Sequence, residues 1–483
     1  MSIVTELDLL KYRRTKIVAT IGPASNSEDV VADLISAGVN VFRVNMSHGS
    51  HEGHAEAIKV IRHVAKTEAP QTAILADLCG PKIRAGKFHT GVVQLLTGSE
   101  VTVTTADVMG DETIIPCQYE ALPDDVIPGD RVLMNDGACE LRVLSIEGGD
   151  VRCTVLSGGP VGDHKSINLP GTAVSAPSLT DKDRIDAAFA LEMEVDFLAL
   201  SFVRTGADIS MLREIVNAAG SPAGIVAKIE KPEALTNSED IIRRSDVIMV
   251  ARGDLGVELN PELVPLAQAQ LISHARALNK PVIVATQMLE SMITSARPTR
   301  AEVSDVSHAV ANGADAIMLS GESAVGQFPI EAVEMMDRVA RQTESYHWHA
   351  DLDYPGAVTD DHNSLPFGDA IADATAKLVD DMKARAVVVI SMQGTTAATI
   401  SAARPAAPVV AISNDARTCR RMNLMWGMIP HFVDSAGTEN PNQIARRVAR
   451  ELDLACAGDY VVMVRGFNAD PQWNTPSITL LQV

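Results

Sequence analysis

The residues FLALSF (197–202) begin a series of five short apolar segments that decides the fold class. The series continues with IVAKIE (225–230), VIMVARG (247–253), PVIVATQM (281–288) and AIMLSG (316–321), with amphipathic segments between them. Three similar segments lie nearer the N-terminus: KIVATIG (16–22), VNVFRVNMS (39–47) and TAILADL (72–78). Eight near-continuous apolar strands with helical connections predict an α/β protein built on a (β/α)8 TIM barrel. A doubly wound parallel sheet is the rival interpretation of the same rhythm.

The alternation of strand and helix segments stops after Leu78. The residues that follow carry short Val, Thr and Ile runs between frequent Gly and Asp turns, as in VVQLLTGSEVTVTT and DVRCTVLSGG, which predicts an all-β insert. After about Ser345 a polar stretch rich in His, Asp and Pro predicts a linker, followed by a helix from Phe367 to Met382. The strands AVVVIS, PVVAIS, YVVMVRG and ITLLQV then indicate a C-terminal α/β domain. We predict four parts: an N-terminal segment (1–12), the barrel (13–79 and 176–345), a β lid domain (80–175) and the α/β domain (346–483).

Composition limits the classes of partner. The chain has 483 residues, with 41 basic and 62 acidic side chains and a formal net charge of −21. The electrostatic field of such a protein repels nucleic acid and anionic membrane surfaces. Six cysteines occur without any CxxC spacing, and the N-terminus lacks the apolar stretch of a signal peptide. No apolar run approaches the roughly 18 residues of a membrane span. We therefore expect a cytoplasmic protein with neither nucleic acid nor a membrane among its partners.

Polar side chains concentrate where the predicted strands end. In a parallel barrel these carboxyl ends meet at one face, so groups from different strands share one cavity. The side chains placed there are Arg43, Asn45, Ser47, His48, Asp77, Lys82, Arg84, Lys228, Glu230 and Asp254. An ordinary salt bridge is the alternative interpretation for any single pair. The repetition over several strand ends favours a functional site.

The spacing of three of these residues indicates phosphoryl chemistry. Lys228 and Glu230 stand two residues apart, so strand alternation puts both on the same face. Glu230 with Asp254 would form an all-oxygen site of the kind that suits Mg²⁺. A carboxylate pair beside a lysine and arginines predicts a cavity in which phosphoryl charge is held between a metal ion and cations.

Eight segments in order along the chain support a family resemblance: KIVATIGPAS (16–25), RVNMSHGSHE (43–52), DLCGPKIR (77–84), AKIEKPEAL (227–235), VARGDLGVE (250–258), ATQMLESM (285–292), RPTRAEVSDV (297–306) and MLSGESA (318–324). Together they closely resemble the pyruvate kinase family. The resemblance implies a barrel interrupted by a mobile β lid and followed by a regulatory α/β domain. It also implies transfer of a phosphoryl group from phosphoenolpyruvate to ADP, giving pyruvate and ATP in the last step of glycolysis, by a homotetramer.

The resemblance implies roles for the residues at the strand ends. Lys228 would stabilise the transferring phosphoryl group and the enolate, and Arg43 would bind the phosphate. Glu230 and Asp254 would hold the catalytic Mg²⁺, or Mn²⁺ in its place. The backbone of Gly253 and Asp254 would bind the substrate carboxylate through the free N–H groups of a short helix.

Further roles implied by the resemblance concern proton delivery. Thr286 would complete the carboxylate pocket and, with Ser320 and Glu322, organise the water that protonates the enolate; the immediate donor stays open. A turn and cap is the alternative interpretation of Ser320 and Glu322. Thr299 and Glu302 have the spacing of a capping box that starts a helix through Val310, with Arg297 before it able to support the site.

Nucleotide binding is implied at the lid. Arg84 and Lys165, the latter in HKSINLPG (164–171), would hold nucleotide phosphates, so that lid closure brings positive charge and excludes water together. Asn45 and His48 would lie near the nucleotide. The alternative for His48 is that it anchors its loop.

One position departs from the family pattern. The commoner pattern DTKGPEIR is replaced here by DLCGPKIR, so Lys82 stands where a glutamate would help to balance a bound K⁺. The Lys82 ammonium group could take the place of that ion beside the monovalent-cation shell, namely Asn45, Ser47, Asp77 and the carbonyl of Leu78. We predict that K⁺ is not required. The alternative is a surface lysine that follows Pro81.

A loop of the C-terminal domain is a candidate effector site. SMQGTTAA (391–398) is a Ser/Gly/Thr-rich turn that opens a helix, and it resembles the family's sugar-phosphate effector loop. The allosteric candidates are Ser391, Gly394, Thr395 and Thr396, with Arg465 and Trp473 as further partners. A plain helix cap is the alternative. The effector is a phosphorylated metabolite, and fructose bisphosphate, glucose 6-phosphate, ribose 5-phosphate and AMP all present suitable phosphates.

Two rival functions remain open at the level of sequence. A Mg²⁺-dependent lyase or aldolase acting on the enolate of pyruvate would use the same acidic metal site but has no need for the lid lysine. A catalytically silent metabolite sensor would use the C-terminal domain alone, although no member of the catalytic set is missing.

Overall fold

The N-terminal barrel strands follow the first three apolar segments. The structure is a computed structural model that describes residues 10–350, 352, 354, 367–466 and 475–483. Its first elements are β1 (Lys16–Thr20), α1 (Glu28–Ala37), β2 (Val41–Asn45), α2 (His51–Glu68) and β3 (Ala73–Asp77). All residues of β1 and β3 are buried, because a barrel strand packs on both faces. Ser27 and Ser50 begin the two helices, and their side chains accept hydrogen bonds from the amides of Val30 and Gly53.

The insert after β3 consists of strands and one short helix. Its elements are β4 (Val92–Leu95), β5 (Glu100–Thr104), β6 (Ile114–Pro116), α3 (Leu122–Asp125), β7 (Arg131–Met134), β8 (Cys139–Glu147), β9 (Asp150–Ser157), β10 (Gly159–Gly162) and β11 (Ile167–Asn168). Six strands form one sheet in the order β11-β7-β8-β9-β5-β6, and β10 pairs with β4. Val103, Val132 and Leu141 belong to a hydrophobic core separate from that of the barrel, as expected of an independent folding unit.

The chain then returns to complete the barrel. The strands are β12 (Phe197–Leu200), β13 (Gly224–Ile229), β14 (Val247–Ala251), β15 (Val282–Ala285) and β16 (Ala316–Leu319). The helices are α4 (Asp181–Glu192), α5 (Gly206–Ala218), α6 (Pro232–Thr236), α7 (Ser238–Arg244), α8 (Arg252–Glu258), α9 (Val264–Ala277), α10 (Arg300–Ala311), α11 (Gly321–Ala324) and α12 (Pro329–His349), with 3-10 turns at Pro261–Leu263 and Glu290–Ile293.

The eight parallel strands close on themselves. Their order is β1-β2-β3-β12-β13-β14-β15-β16, and β16 pairs with β1 in the register Lys16 to Ala316. The predicted barrel is therefore confirmed, and the rival doubly wound sheet is wrong because that sheet would be open. All carboxyl ends of the strands lie at one face, which the insert after β3 adjoins.

The C-terminal domain covers the opposite, N-terminal end of the barrel. Leu424 is fully buried in the same cluster as Val18, Val226 and Met249, which fill the barrel interior. Lys16 at the start of β1 donates a hydrogen bond from Nζ to the carbonyl of Met428 at 2.6 Å. This end of the barrel is thus used for packing, which leaves the carboxyl face for chemistry.

The C-terminal domain is an α/β sheet of five strands. Its elements are α13 (Phe367–Met382), β17 (Ala386–Ile390), α14 (Thr395–Ala402), β18 (Val409–Ser413), α15 (Ala416–Met422), β19 (Met428–Phe432), α16 (Pro441–Glu451), β20 (Tyr460–Arg465) and β21 (Ser477–Gln482). The order is β19-β18-β17-β20-β21, with only β21 antiparallel to its neighbour. The predicted helix from Phe367 to Met382 is confirmed. Strand β19 was not predicted, because Pro430 and His431 interrupt its apolar run.

The junction after the barrel differs from the prediction. Helix α12 continues to His349, past the predicted end near Ser345. Glu344 and Ser345 are buried there, and they accept hydrogen bonds from the amides of Arg14 and Leu10. Most of the predicted linker, and all of residues 1–9, lie outside the described residues. The four domain limits stay predictions. Among the helices in the described ranges, none has the length and apolarity needed to cross a membrane.

Candidate active site

Lys228 is the centre of the barrel mouth. It stands near the end of β13, and its Nζ lies 2.9 Å from Glu230 Oε1 and 3.2 Å from Asp77 Oδ1. The same Nζ donates a hydrogen bond to the hydroxyl of Ser201 at 2.7 Å. Asp77 ends β3 and Ser201 follows β12, so three neighbouring strands bring these groups together. The Lys228 side chain is only 11% exposed, which places its charge at the floor of the cavity.

The carboxylates keep Lys228 charged. Burial alone would lower the pKa of Lys228, but the charges of Asp77 and Glu230 outweigh burial and raise that pKa above its usual value. Burial likewise favours neutral Asp77, yet Lys228 and Arg43 hold the pKa of Asp77 below its usual range. Asp77 is therefore ionised and Lys228 protonated at neutral pH. The site presents a desolvated ammonium group.

Arg43 is the second cation of the cavity. Its Nε and one terminal nitrogen both lie against Asp77 Oδ2, at 2.7 and 2.6 Å, and the other terminal nitrogen donates to the Thr20 hydroxyl at 3.1 Å. The Arg43 side chain is 11% exposed. Asp77 Oδ1, although within ion-pair distance of Lys228, makes no hydrogen bond in the described chain. Asp77 thus fixes two cations side by side, an arrangement suited to a phosphate group.

Glu230 and Asp254 form an acidic pair suited to a divalent metal ion. Glu230 is 1% exposed, and its Oε2 accepts a hydrogen bond from the amide of Phe202 at 2.8 Å. Burial raises the pKa of Glu230, and the charge of Asp254 adds to this rise against the opposing effect of Lys228. Asp254, in the first turn of α8, is 30% exposed. A hard cation would relieve the repulsion between the two carboxylates.

The remaining ligands of such an ion would come from substrate and water. Within the described ranges no cluster of three or more His, Cys, Asp or Glu side chains is arranged to hold a metal. Mg²⁺ commonly binds through one or two carboxylates together with substrate phosphates and waters. The two-carboxylate set therefore fits Mg²⁺ at an open mouth better than it fits a closed structural site.

The backbone of Gly253 meets the Thr286 side chain beyond the carboxyl ends of β14 and β15. The Thr286 hydroxyl accepts a hydrogen bond from the amide of Gly253 at 2.7 Å and donates one to the carbonyl of Ala285 at 2.6 Å. A Cβ atom at position 253 would lie 3.2 Å from the Thr286 hydroxyl, so glycine is what allows this close approach. An amide and a hydroxyl are thereby paired where α8 begins.

Glu322 joins two loops. It is 1% exposed, and its two oxygens accept hydrogen bonds from the amides of Ser320, at 2.7 Å, and Leu289, at 3.1 Å. This geometry favours the cap alternative for Glu322, since both oxygens hold backbone groups. Ser320 is half-buried at the end of β16. The part of Ser320 and Glu322 in proton delivery stays a prediction.

The nucleotide candidates lie together where the lid joins the barrel. Arg84 donates a hydrogen bond to the carbonyl of His164 at 3.1 Å, and the amide of Ala85 donates to the carbonyl of Lys165 at 2.8 Å. Burial, followed by the positive charges of Arg84, Lys82 and Arg43, lowers the pKa of His48. His48 is therefore neutral at pH 7, and it lies beside a cationic rim.

Lys82 lies against a different partner from the one predicted. Its Nζ is 4.0 Å from Asp254 Oδ1, and Asp254 is its ion-pair partner in the described chain. The predicted cation shell has its own contacts: the Asn45 side chain accepts from the amide of Ser47, and the Leu78 carbonyl accepts from the Ser201 hydroxyl. The ammonium group of Lys82 therefore borders the acidic pair. Its substitution for K⁺ stays a prediction.

The capping box at Thr299 is confirmed and has an additional contact. Thr299 and Glu302 make the reciprocal hydrogen bonds that start α10. Glu302 also accepts from the amide and hydroxyl of Ser291, at 2.7 and 2.5 Å, and so ties α10 to the loop after β15. The contribution of Arg297 stays a prediction.

Three groups of the site were missed from sequence. Ser201 receives the Lys228 hydrogen bond, Thr20 receives one from Arg43, and Arg252 lies beside the Thr286 loop. Each follows or ends an apolar strand segment, so the strand-end rule that selected Lys228 could have found them.

The candidate effector loop faces the barrel. Ser391 is buried and its hydroxyl accepts from the amide of Ala397 at 3.3 Å, as a helix cap would. Gly394 and Thr395 line a cavity of about 370 Å³ shared with Asn279 of the barrel. Thr396 is buried, Arg465 ends β20, and Trp473 lies outside the described residues.

Two family models match the chain. The model for "Pyruvate kinase, barrel domain" matches residues 12–333, and that for "Pyruvate kinase, alpha/beta domain" matches residues 369–478. The pyruvate kinase of Clostridium perfringens is 41% identical over 462 residues, covering 94% of this chain and 96% of that one. A pyruvate kinase of Agrobacterium vitis is 42% identical over 474 residues, covering 98% and 97%. The crystal structure of a pyruvate kinase from Cryptosporidium parvum has a TM-score of 0.87 at 37% identity and covers 98% of each chain.

Proposed function

The chain belongs to the pyruvate kinase family, and from that premise we propose how its barrel mouth transfers a phosphoryl group from phosphoenolpyruvate to ADP. The observation that carries the proposal is the protonated Lys228 held between Asp77 and Glu230 at the carboxyl face of the barrel. During transfer the bond between the enol oxygen and phosphorus breaks, and its electron pair stays on that oxygen. A terminal oxygen of ADP forms the new bond to phosphorus.

Lys228 and Arg43 stabilise the negative charge on the phosphoryl group during its transfer. Both are almost fully buried and share Asp77 as an anchor, so they keep their positions when the phosphate moves. Fixed cations in a water-excluded site stabilise developing negative charge without reorganisation. Lys228 would also donate a hydrogen bond to the enolate oxygen. Positioning and charge account for most of the catalysis in phosphoryl transfer.

The family generally needs a divalent metal ion, and Glu230 and Asp254 would hold Mg²⁺, or Mn²⁺, here. Bound Mg²⁺ neutralises phosphate oxygens and fixes their orientation. Glu230 stays oriented through its hydrogen bond from the amide of Phe202. Asp254 is the more exposed of the two acids.

The substrate carboxylate would bind where α8 begins. The amides of Gly253 and Asp254 belong to the first turn of this helix, and such amides attract anions; that of Gly253 would exchange its bond to the Thr286 hydroxyl for one to the carboxylate. The Thr286 hydroxyl, now paired with the amide of Gly253, marks the same place. After transfer, Thr286 and Ser320 would organise the water that gives a proton to the enolate carbon, which yields pyruvate. Glu322 would support them by holding Ser320.

The nucleotide would bind under the lid. Arg84 and Lys165 would hold the ADP phosphates, with Asn45 and His48 nearby. Their support is two hydrogen bonds at the base of the lid, from the Arg84 guanidinium to the carbonyl of His164 and from the amide of Ala85 to the carbonyl of Lys165. Closure of the lid would exclude water from the transfer.

One assay separates the kinase from its rivals. Protein incubated with phosphoenolpyruvate, ADP and MgCl₂ is expected to form ATP and pyruvate in equal amounts, and to form neither when ADP is left out. Cleavage of a longer oxo acid without nucleotide would indicate the lyase instead. Absence of any turnover together with tight binding of a phosphorylated metabolite would indicate the sensor.

We expect catalysis to be independent of potassium. Lys82 stands where the commoner family pattern has the glutamate that helps to balance K⁺, and its ammonium group, 4.0 Å from Asp254 Oδ1, would supply at the barrel mouth the positive charge that K⁺ supplies elsewhere in the family. Steady-state rates in tetramethylammonium buffer should not change when K⁺ replaces tetramethylammonium at constant ionic strength. The Lys82→Glu variant should become potassium-dependent, whereas Lys87→Glu, the same charge change on an exposed lid residue, should not. Strong stimulation of the unaltered enzyme by K⁺ would contradict this prediction.

Regulation and assembly follow the family resemblance. We propose a cytoplasmic homotetramer whose effector is a phosphorylated metabolite bound at Ser391, Gly394, Thr395 and Thr396. The support is the turn at Gly394, whose φ of 95° leads into the first-turn amides of α14. The coupled assay, repeated with a panel of phosphorylated metabolites, tests this proposal.

A further inference from the structure

The loop after β15 contains an unusual turn at the active site. Thr286 and Gln287 both have positive φ angles, 71° and 54°. A β-branched residue rarely adopts this left-handed conformation, and it persists only where neighbouring groups hold it. Gly253 packs directly against the Thr286 side chain. The turn therefore sets the position of a hydroxyl group that faces the proposed carboxylate site.

Arg252 holds this turn from one side. One terminal nitrogen of its guanidinium donates to the carbonyl of Thr286 at 2.8 Å and lies 3.5 Å from the carbonyl of Gln287. The same nitrogen lies 2.7 Å from the sulfur of Met288. Three consecutive residues thus contact one guanidinium group. The Arg252 side chain is only 10% exposed, so water competes little for these contacts.

The other terminal nitrogen of Arg252 fixes the guanidinium to two helices. It donates to Asp305 Oδ1 on α10 at 2.7 Å and lies 3.5 Å from Gln268 Oε1 on α9. Asp305 is half-buried and Gln268 is buried. The planar guanidinium therefore connects the strained turn to the outer ring of the barrel. A lysine ammonium group is a single point of charge and could not span both sides.

Two glutamates hold the rest of the loop. Glu322 accepts from the amide of Leu289, and Glu302 accepts from the amide and hydroxyl of Ser291. The amide of Gly253 holds the Thr286 hydroxyl itself, whereas Arg252 is the side chain that holds the backbone carbonyls of the turn. Loss of Arg252 would leave Leu289 and Ser291 anchored while the turn itself could relax.

We propose that Arg252 is a positioning residue, which clamps the turn at Thr286 and Gln287 so that the Thr286 hydroxyl stays at the substrate carboxylate. This inference rests on the proposed role of Thr286. Arg252 acts through backbone carbonyls and does not touch the reacting atoms. Replacement of Arg252 should therefore weaken the contact of Thr286 with the substrate carboxylate and should leave ADP binding unchanged.

The first test is Arg252→Lys, which keeps the charge and loses the planar donors. We expect kcat/KM for phosphoenolpyruvate to fall by about 10- to 100-fold, as for loss of hydrogen bonds that orient a reacting group. The KM for ADP should stay unchanged. Arg62→Lys is the matched control, because Arg62 binds the carbonyls of Thr72 and Glu194 at the opposite end of the barrel. The control should lower the melting temperature without lowering kcat/KM.

A double-mutant cycle with Thr286→Val decides whether Arg252 acts through Thr286. Thr286→Val alone should lower kcat/KM. The double variant, which also carries Arg252→Lys, should have a kcat/KM only slightly lower than that of Thr286→Val, because the effects of coupled residues are non-additive. Fully multiplicative losses, or equal losses in Arg252→Lys and Arg62→Lys, would overturn the inference while leaving the role of Thr286 intact. If Thr286→Val alone has no effect, the role of Thr286 fails and the clamp proposal fails with it.

Discussion

Replacement of Lys228 by methionine is expected to abolish turnover while the protein stays folded. Methionine fills a similar volume but removes the desolvated ammonium group that stabilises the phosphoryl group and the enolate. Loss of one preorganised charge of this kind should lower kcat on the order of 10³-fold or more. The measurement is the coupled assay at saturating phosphoenolpyruvate, ADP and Mg²⁺, with circular dichroism as the test of folding.

The Lys228→Met variant should fold because its acidic partners keep other contacts. Asp77 remains paired with Arg43, and Glu230 keeps its hydrogen bond from the amide of Phe202. Lys231→Met is the matched control, since Lys231 forms a comparably buried pair with Glu258 at 2.6 Å. The control should retain turnover. Turnover by Lys228→Met close to that of the control would contradict the role of Lys228.

Removal of either acid of the proposed metal site is expected to abolish metal binding at working concentrations. In Glu230→Gln or Asp254→Asn, one charged oxygen ligand becomes a neutral amide, and the hard cation loses half of its protein carboxylates. Since even outer contacts of a metal site are worth about 10- to 100-fold in affinity, loss of a direct ligand should cost at least 100-fold. The measurement is a Mn²⁺ titration of each variant by isothermal calorimetry, which does not depend on activity.

Glu258→Gln is the matched control for the metal variants. Glu258 is also a buried carboxylate paired with a lysine, and it lies at the end of the same short helix as Asp254. Its replacement should leave Mn²⁺ affinity unchanged. If all three variants bind Mn²⁺ as the unaltered protein does, the ion is held elsewhere and Glu230 and Asp254 have another purpose.

The architecture was predictable because apolar strand segments are a strong local signal. Segments such as IVAKIE and PVIVATQM contain the fully buried strands β13 and β15, and their spacing left room for helical connections. The short strand β19 was missed, since Pro430 and His431 interrupt its apolar run and its burial comes from packing on α15 and β18. Whether such a segment forms a strand depends on its tertiary contacts and not on its local sequence.

The gathering of residues at the mouth was also predictable, whereas their pairing was not. Strand ends of a closed barrel must meet, which brings Arg43, Asp77 and Lys228 into one cavity. Sequence does not show that Asp77 stands between the two cations, or that Ser201 completes the Lys228 contacts. Those details depend on side-chain packing across three strands.

Long side chains were the least predictable part of the site. Lys82 has a flexible four-carbon stem, so its ammonium group can reach several acids, and in the structure its ion-pair partner is Asp254. Glu322 and Glu302 likewise reach backbone amides of the loop after β15. Apart from the Thr299 capping box, no local sequence pattern predicts such contacts, because the side chain and the group that it contacts lie on different elements.

The central claim is that Glu230, Asp254 and Lys228 together hold a metal ion and the phosphate of phosphoenolpyruvate. Anomalous diffraction from crystals grown with MnCl₂ and phosphoenolpyruvate, without ADP, tests it most directly. The account predicts a manganese peak bound by the carboxylates of Glu230 and Asp254, with the substrate phosphate against Lys228 and Arg43. A manganese peak away from both carboxylates, or a phosphate bound out of reach of Lys228, would contradict it.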